Sequence, residues 1–223
     1  DVKAAGPYTL QINKGTNVVT VYRSNGTPER AFICSTGTDT PIGTFNTSQK
    51  LRWHTLMGPS YGQYCTRIVN GVLFHSVWYY RNGDYASQSY REFNKLGTTC
   101  SHGCVRLTVA DAKWIYDNCP IGTTVKIIYG SSANDPLGKP AAIKVPDRRE
   151  GWDPTDPHPS NPYRNAMPSI NTSGASTTLT YGSNFNPLAG ISAKDSLGND
   201  ISSRISYAGT VNTWKLGSYR LTY

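Results

Sequence analysis

Apolar and polar residues alternate with a period of two through much of the first 130 residues, the spacing of strands with one buried face. Tyr8, Leu10 and Ile12 alternate with polar neighbours. Residues 17–23 (NVVTVYR) and 29–34 (ERAFIC) are two more strand-like runs, with the turn Ser24-Asn25-Gly26 between them. Residues 62–69 and 72–75 form a second predicted hairpin around Asn70-Gly71, a strong short turn dipeptide. In one place the period changes. Ala112, Ile115, Tyr116 and Cys119 follow at helical spacing behind Thr108-Val109-Ala110-Asp111, which resembles a capping box. Pro120-Ile121-Gly122 stops that helix, and residues 124–129 (TVKIIY) read as a closing strand.

The character shifts after residue 130. Eight of the 14 prolines fall between Pro136 and Pro168, and proline cannot donate to a sheet. Residues 131–168 therefore read as a stiff connector, with Trp152 and Tyr163 pinned against a neighbour. Strand periodicity returns in short runs at 178–181, 190–193, 201–207 and 217–223, with a turn at 196–200. The expected organisation is a mainly β first domain over 1–130 with one helix, a proline-rich connector over 131–168, and a small β-sandwich over 169–223. The chain ends inside a strand-like LTY, as an incomplete repeat would.

Composition narrows the partners. The chain has 223 residues and a net charge of +8, with only 16% charged residues against a typical share of about 25%. Residues 1–130 hold 13 basic and 7 acidic side chains, so most of the excess lies in the first domain. A basic surface implies an anionic partner: nucleic acid, a membrane surface or a wall polymer. No basic run and no groove-reading motif is present, so nucleic acid is set aside. No window approaches the roughly 18 consecutive apolar residues of a membrane helix. No amino-terminal signal is present either, so the chain reads as cytosolic or, the preferred alternative, as a trimmed mature fragment of something larger.

Candidate chemistry concentrates in Ser101-His102-Gly103-Cys104-Val105-Arg106. A thiol beside an imidazole, a glycine and an arginine suits an activated thiolate, because positive neighbours lower a thiol pKa. Gly103 permits close backbone approach, so nearby N–H groups could face a developing oxyanion. His75, distant in sequence at the end of an apolar run, completes a nucleophile–base pair with Cys104.

The segment SHGCVRL, with FHS at 74–76, resembles the signature of the L,D-transpeptidase catalytic domain, the YkuD-like family. Ser35-Thr36-Gly37, the stretch TPIGTF at 40–45, and residues 111–119 leading into a strand fit the same family. The resemblance covers about residues 7–130 and implies a β-sandwich with one helix after the catalytic Cys. Residues after 169 are similar to bacterial immunoglobulin-like (Ig-like) modules. The resemblance implies that Cys104 attacks the carbonyl between the third and fourth residues of a peptidoglycan stem peptide. It makes His75 the general base, with the Ser76 carbonyl orienting its ring. His102 and Gly103 shape the turn, the Gly103 and Cys104 N–H groups face the oxyanion, and Arg106 supports the site or meets a substrate carboxylate. An amine from a second stem then forms a 3→3 cross-link, with no cofactor or metal, in an extracytoplasmic setting at the cell wall. The same site could serve an L,D-carboxypeptidase or amidase, or be vestigial in a wall-binding module.

Two features depart from the expected pattern. The spacer between His75 and Ser101 is 25 residues, longer than usual for the family, and its stretch 79–95 is expected to form part of a lid. Cys34, Cys65, Cys100 and Cys119 allow three disulfide pairings or none, and Cys100 could also pair with Cys104. A zinc reading of Cys100, His102, Cys104 and His75 conflicts with the tight C-x-H-x-C spacing. His54 and His158 read as ordinary surface or packing residues. Trp53, Trp78, Trp114 and the tyrosines read as packing, with Trp78 and Tyr79-Tyr80 as a possible sugar platform.

Overall fold

The period-two runs become strands, and pairings invisible in the local pattern assemble them. The computed structural model describes residues 6–166 and 168–223, without the side chain of Asn165; residues 1–5 and 167, within the predicted first domain and connector, lie outside the described residues. In chain order the first unit contains β1 (Tyr8–Asn13), β2 (Val18–Arg23), β3 (Pro28–Ile33), β4 (Gly43–Asn46), β5 (Gln49–Leu56), β6 (Ser60–Val69) and β7 (Val72–Ser76). It continues with β8 (Gln88–Ser89), α1 (Tyr90–Phe93), β9 (Val105–Leu107), α2 (Val109–Asn118), β10 (Thr124–Ile128) and β11 (Glu150–Gly151). Both predicted hairpins form, β2–β3 and β6–β7.

One sheet has the order β3-β2-β1-β10-β4 and another β5-β6-β7-β9. The β1–β10 and β7–β9 pairings are parallel, so each needs a long crossover connection. One continuous core joins both sheets to α2. Leu10, Ile12 and Val19 come from the first sheet, Phe74 and Leu107 from the second, and Ile115 from the helix, all fully buried. Each such side chain contributes about 1.5–3 kcal/mol of burial.

The helix α2 starts as its sequence predicts, with Thr108 Oγ1 accepting from the Asp111 N–H at 3.2 Å. Two further caps come from far along the chain. Asp153 Oδ2 accepts from the Val109 N–H and Thr155 Oγ1 from the Ala110 N–H, both at 3.0 Å. Three of the otherwise unpaired first-turn donors are thus satisfied.

These distant caps correct the connector reading. The chain divides by contacts into Asp1–Arg164 and Asn165–Tyr223, so residues 131–164 belong to the first unit and do not form a spacer. Proline denies this stretch a regular ladder, and side chains dock it instead. Asp153 accepts from Gln88 Nε2 and Asp156 from Gln63 Nε2, both at 3.0 Å. Tyr90 Oη donates to the Trp152 carbonyl at 2.9 Å and lies 2.8 Å from the Tyr163 hydroxyl. Val145 joins Val77, Tyr90, Phe93 and Leu96 in a second small core, and β11 pairs with β8. Trp152 and Tyr163 are pinned as expected.

The stretch 79–95 is likewise built into the fold, with Tyr80 beside the candidate cleft. It supplies β8, α1 and the buried rings of Tyr79, Tyr90 and Phe93. The long spacer and the proline-rich segment explain each other, since each covers the other's apolar face.

In the second unit, β12 (Ser169–Asn171) pairs antiparallel with β13 (Ser192–Lys194), and Ala208 bridges Thr222. The predicted runs at 178–181, 201–207 and 217–223 do not form regular strands. At the start of the second run a local side-chain bond competes with a ladder, Asp200 accepting from the Ser202 N–H at 2.8 Å, and similar bonds form the turns between runs, Asn186 accepting from the Leu188 N–H and Asn212 from the Trp214 N–H, both at 3.0 Å.

Candidate active site

Parallel pairing of β7 with β9 brings the two halves of the candidate site together. Phe74 faces Val105 and His75 faces Arg106 in register, which sets the turn 101–104 at the edge of β7. Cys104, His75, His102, Gly103 and Arg106 all open onto one cleft of about 690 Å³. Ser76 is fully buried behind it.

The Ser35–Thr40 segment clamps the turn from outside. The Thr36 carbonyl accepts from the Cys100 and Ser101 N–H groups at 3.0 and 3.1 Å. The Asp39 N–H donates to the His102 carbonyl at 3.0 Å. Thr40 Oγ1 accepts from the Gly37 N–H at 2.8 Å and donates to the Gly103 carbonyl at 2.7 Å. A Cβ on Gly37 would lie 2.2 Å from the His102 carbonyl oxygen, so only glycine allows this approach. In a trans peptide the N–H points opposite the carbonyl. With both carbonyls drawn toward the clamp, the Gly103 and Cys104 N–H groups point away from it.

His75 is held as a neutral base. Its Nδ1 lies 2.5 Å from the Ser76 carbonyl oxygen. A carbonyl only accepts, so Nδ1 carries the proton and Nε2 keeps its lone pair. Burial lowers the His75 pKa to about 4; the Ser76 bond opposes this, and the Arg106 and His54 charges add to it. Gly62 leaves room for the ring, since a Cβ there would sit 3.1 Å from His75 Nδ1 and 3.3 Å from Cys65 Sγ.

The sequence leads one to expect a thiolate at Cys104, but the structure holds a thiol. Burial raises its pKa; the Leu73 N–H and the Arg106 and Arg67 charges offset only part of that rise. The sulfur donates to the Gly71 carbonyl at 3.5 Å. At rest the two groups are therefore a neutral thiol and a neutral imidazole.

Arg106 is already engaged. Its Nη1 meets Glu92 Oε2 at 2.5 Å, with side chains 12% and 14% exposed. Cys100 Sγ lies 3.9 Å from the same nitrogen, and all five cysteines are free thiols.

His54, Arg67, Trp78 and Tyr80 also line the cleft, although the sequence singles out neither Arg67 nor the clamping role of Thr40. His54 faces Gly62 across the β5–β6 hairpin. The turn at Met57-Gly58-Pro59, with Gly58 at φ +75°, was the available signal for that register. Trp78 and Tyr80 flank the buried Tyr79 and meet edge-on at 4.8 Å. Among the described residues, no three His, Cys, Asp or Glu side chains gather to hold a metal ion.

Comparison with known proteins assigns the class. The family model YkuD, L,D-transpeptidase catalytic domain, matches residues 7–127, and a bacterial surface protein Ig-like domain matches 170–223. The chain belongs to the YkuD family of L,D-transpeptidase catalytic domains. Bacillus subtilis (strain 168) YciB, named among the L,D-transpeptidases, is 40% identical over 92 residues, which cover 40% of this chain and 46% of YciB. The chain thus matches less than half the length of that relative. An L,D-transpeptidase structure from Mycobacterium tuberculosis H37Rv is 23% identical with a TM-score of 0.44, over 55% of this chain and 57% of the other. A fused Zn-dependent amidase/peptidase/peptidoglycan-binding protein of Clostridium acetobutylicum ATCC 824 is 29% identical with a TM-score of 0.43, over 55% and 52%. The family match, rather than these superpositions, carries the classification. Among the described residues no helix is long and apolar enough to cross a membrane.

Proposed function

We propose that the chain is a peptidoglycan L,D-transpeptidase that forms 3→3 cross-links through a thioester on Cys104, acting outside the cytoplasm on the wall. The observation that carries this reading is the fixed tautomer of His75 in the cleft that Cys104 shares. The thiol proton passes to His75 Nε2 as sulfur attacks the stem carbonyl. The oxyanion meets the Gly103 and Cys104 N–H groups, whose peptides the clamp orients. The imidazolium returns its proton to the departing amine of the terminal D-residue, leaving a thioester. A side-chain amine of a second stem attacks that thioester, gives up its proton to His75, and frees the thiol. The neutral resting pair suits this sequence, since a neutral base is needed at the outset.

Incubation with purified stem tetrapeptides tests the reaction. Cross-linked dimers support transfer. Tripeptide alone would mean that water is the acceptor and that the chain is an L,D-carboxypeptidase. No product from folded, reduced protein would contradict both.

A further inference from the structure

The cleft holds two guanidinium groups, and only one has a carboxylate partner. Arg106 is bound to Glu92. Arg67 also lines the cleft, yet among the described residues it pairs with no carboxylate. Neutral acceptors orient it instead. Its Nε donates to Gln49 Oε1 at 3.1 Å, and its Nη1 donates to the Asn70 carbonyl at the tip of the β6–β7 hairpin. Five N–H donors in a rigid fork leave three for a ligand. Arg67 faces Leu73 in register across β6–β7, and the Leu73 N–H and the Arg67 charge both act on the Cys104 thiol. A preoriented cation without a counter-ion, one strand from the nucleophile, is arranged for an anionic group on the substrate.

We propose that Arg67 receives a free substrate carboxylate one residue beyond the carbonyl that Cys104 attacks, and so selects donors ending at that residue. This inference rests on reading the cleft as an acyl-transfer site. It moves the carboxylate contact from Arg106, whose charge Glu92 already neutralises, to Arg67. A donor extended by one residue would place a neutral amide against the guanidinium and lose the ion pair.

Alkylation of Cys104 tests the anion site without any transferase reaction. Iodoacetate and iodoacetamide react with the same thiolate, so the ratio of their rates cancels any change in thiolate fraction. Peptide-resolved mass spectrometry gives that ratio at Cys104. It should fall about fivefold in Arg67→Gln, the effect of one charge pair at about 4 Å in water, and hold in Arg67→Lys. An unchanged ratio in Arg67→Gln would overturn the inference. Binding of stem tetrapeptides to Cys104→Ala protein gives the second readout. The carboxylate form should bind more tightly than its terminal amide, and Arg67→Gln should erase the difference; equal binding of the two forms to the Arg67 protein would overturn the substrate assignment. A fallen reagent ratio with no peptide binding would leave the anion site standing and remove the stem peptide as its ligand, and with it the proposed donor.

Discussion

At the scale of single residues, the site turns on two groups that burial keeps uncharged. A His75 pKa of about 4 keeps its imidazole neutral across neutral pH, the form that the proposed base needs. The acylation rate should therefore hold a plateau down to about pH 5 and fall through pH 4. An ordinary histidine would give that acid limb near pH 6.5. Stopped-flow acylation at varied pH reads this directly, and a limb near 6.5 would refute the buried neutral base. The same shift acts on stability. Between pH 6.5 and 4 the unfolded state binds a proton at this histidine that the folded state refuses. Stability should fall by about 3 kcal/mol as pH drops through that window, and His75→Gln should remove most of that slope in urea unfolding. Cys104 and His75 were legible in the sequence because each sits in a short local motif. Arg67 and His54 were not, because their places in the cleft follow from hairpin register, which a single strand's pattern does not carry.

At the scale of elements, the Ser35–Thr40 clamp and the docked proline-rich segment do the positioning. Removing the Thr40 hydroxyl frees the Gly103 carbonyl and lets the turn rotate. Thr40→Val should lower kcat by about 10²-fold, the size of a lost oxyanion donor, with KM little changed, while Thr40→Ser retains activity. A fall confined to KM would contradict the assignment. Asp153 ties α2 to the proline-rich segment, with Oδ2 on the Val109 N–H and Gln88 and Oδ1 on Thr155. Asp153→Ala should destabilise the first unit by about 2–3 kcal/mol in denaturant unfolding, since buried donors lose their acceptor. Strand runs and the Thr108 cap were legible because period and capping are local. The Asp153 cap lies 44 residues from its helix terminus, and the parallel β1–β10 pairing sets Leu10 beside Val125. Neither separation leaves a trace in any short window.

At the scale of the molecule, the boundary that matters is Arg164. The family match ends at residue 127, and proline content suggested a spacer beyond it. Proline reports only that a segment cannot join a ladder, and this one docks through Asp, Asn and Tyr side chains instead. A fragment of residues 1–130 would expose Tyr90 and Phe93 and leave Gln63 and Gln88 without their carboxylates. It should aggregate or melt at least 10 °C below a fragment of residues 1–164, and calorimetry of the two compares them. Equal melting temperatures would restore the connector reading.

Every step proposed for the cleft runs through acylation of Cys104. Intact-protein mass spectrometry after incubation with a carbapenem tests it most directly. One acyl adduct is expected on the folded, reduced protein and none on Cys104→Ala. An unmodified wild-type mass, or an adduct that persists in Cys104→Ala, would contradict it.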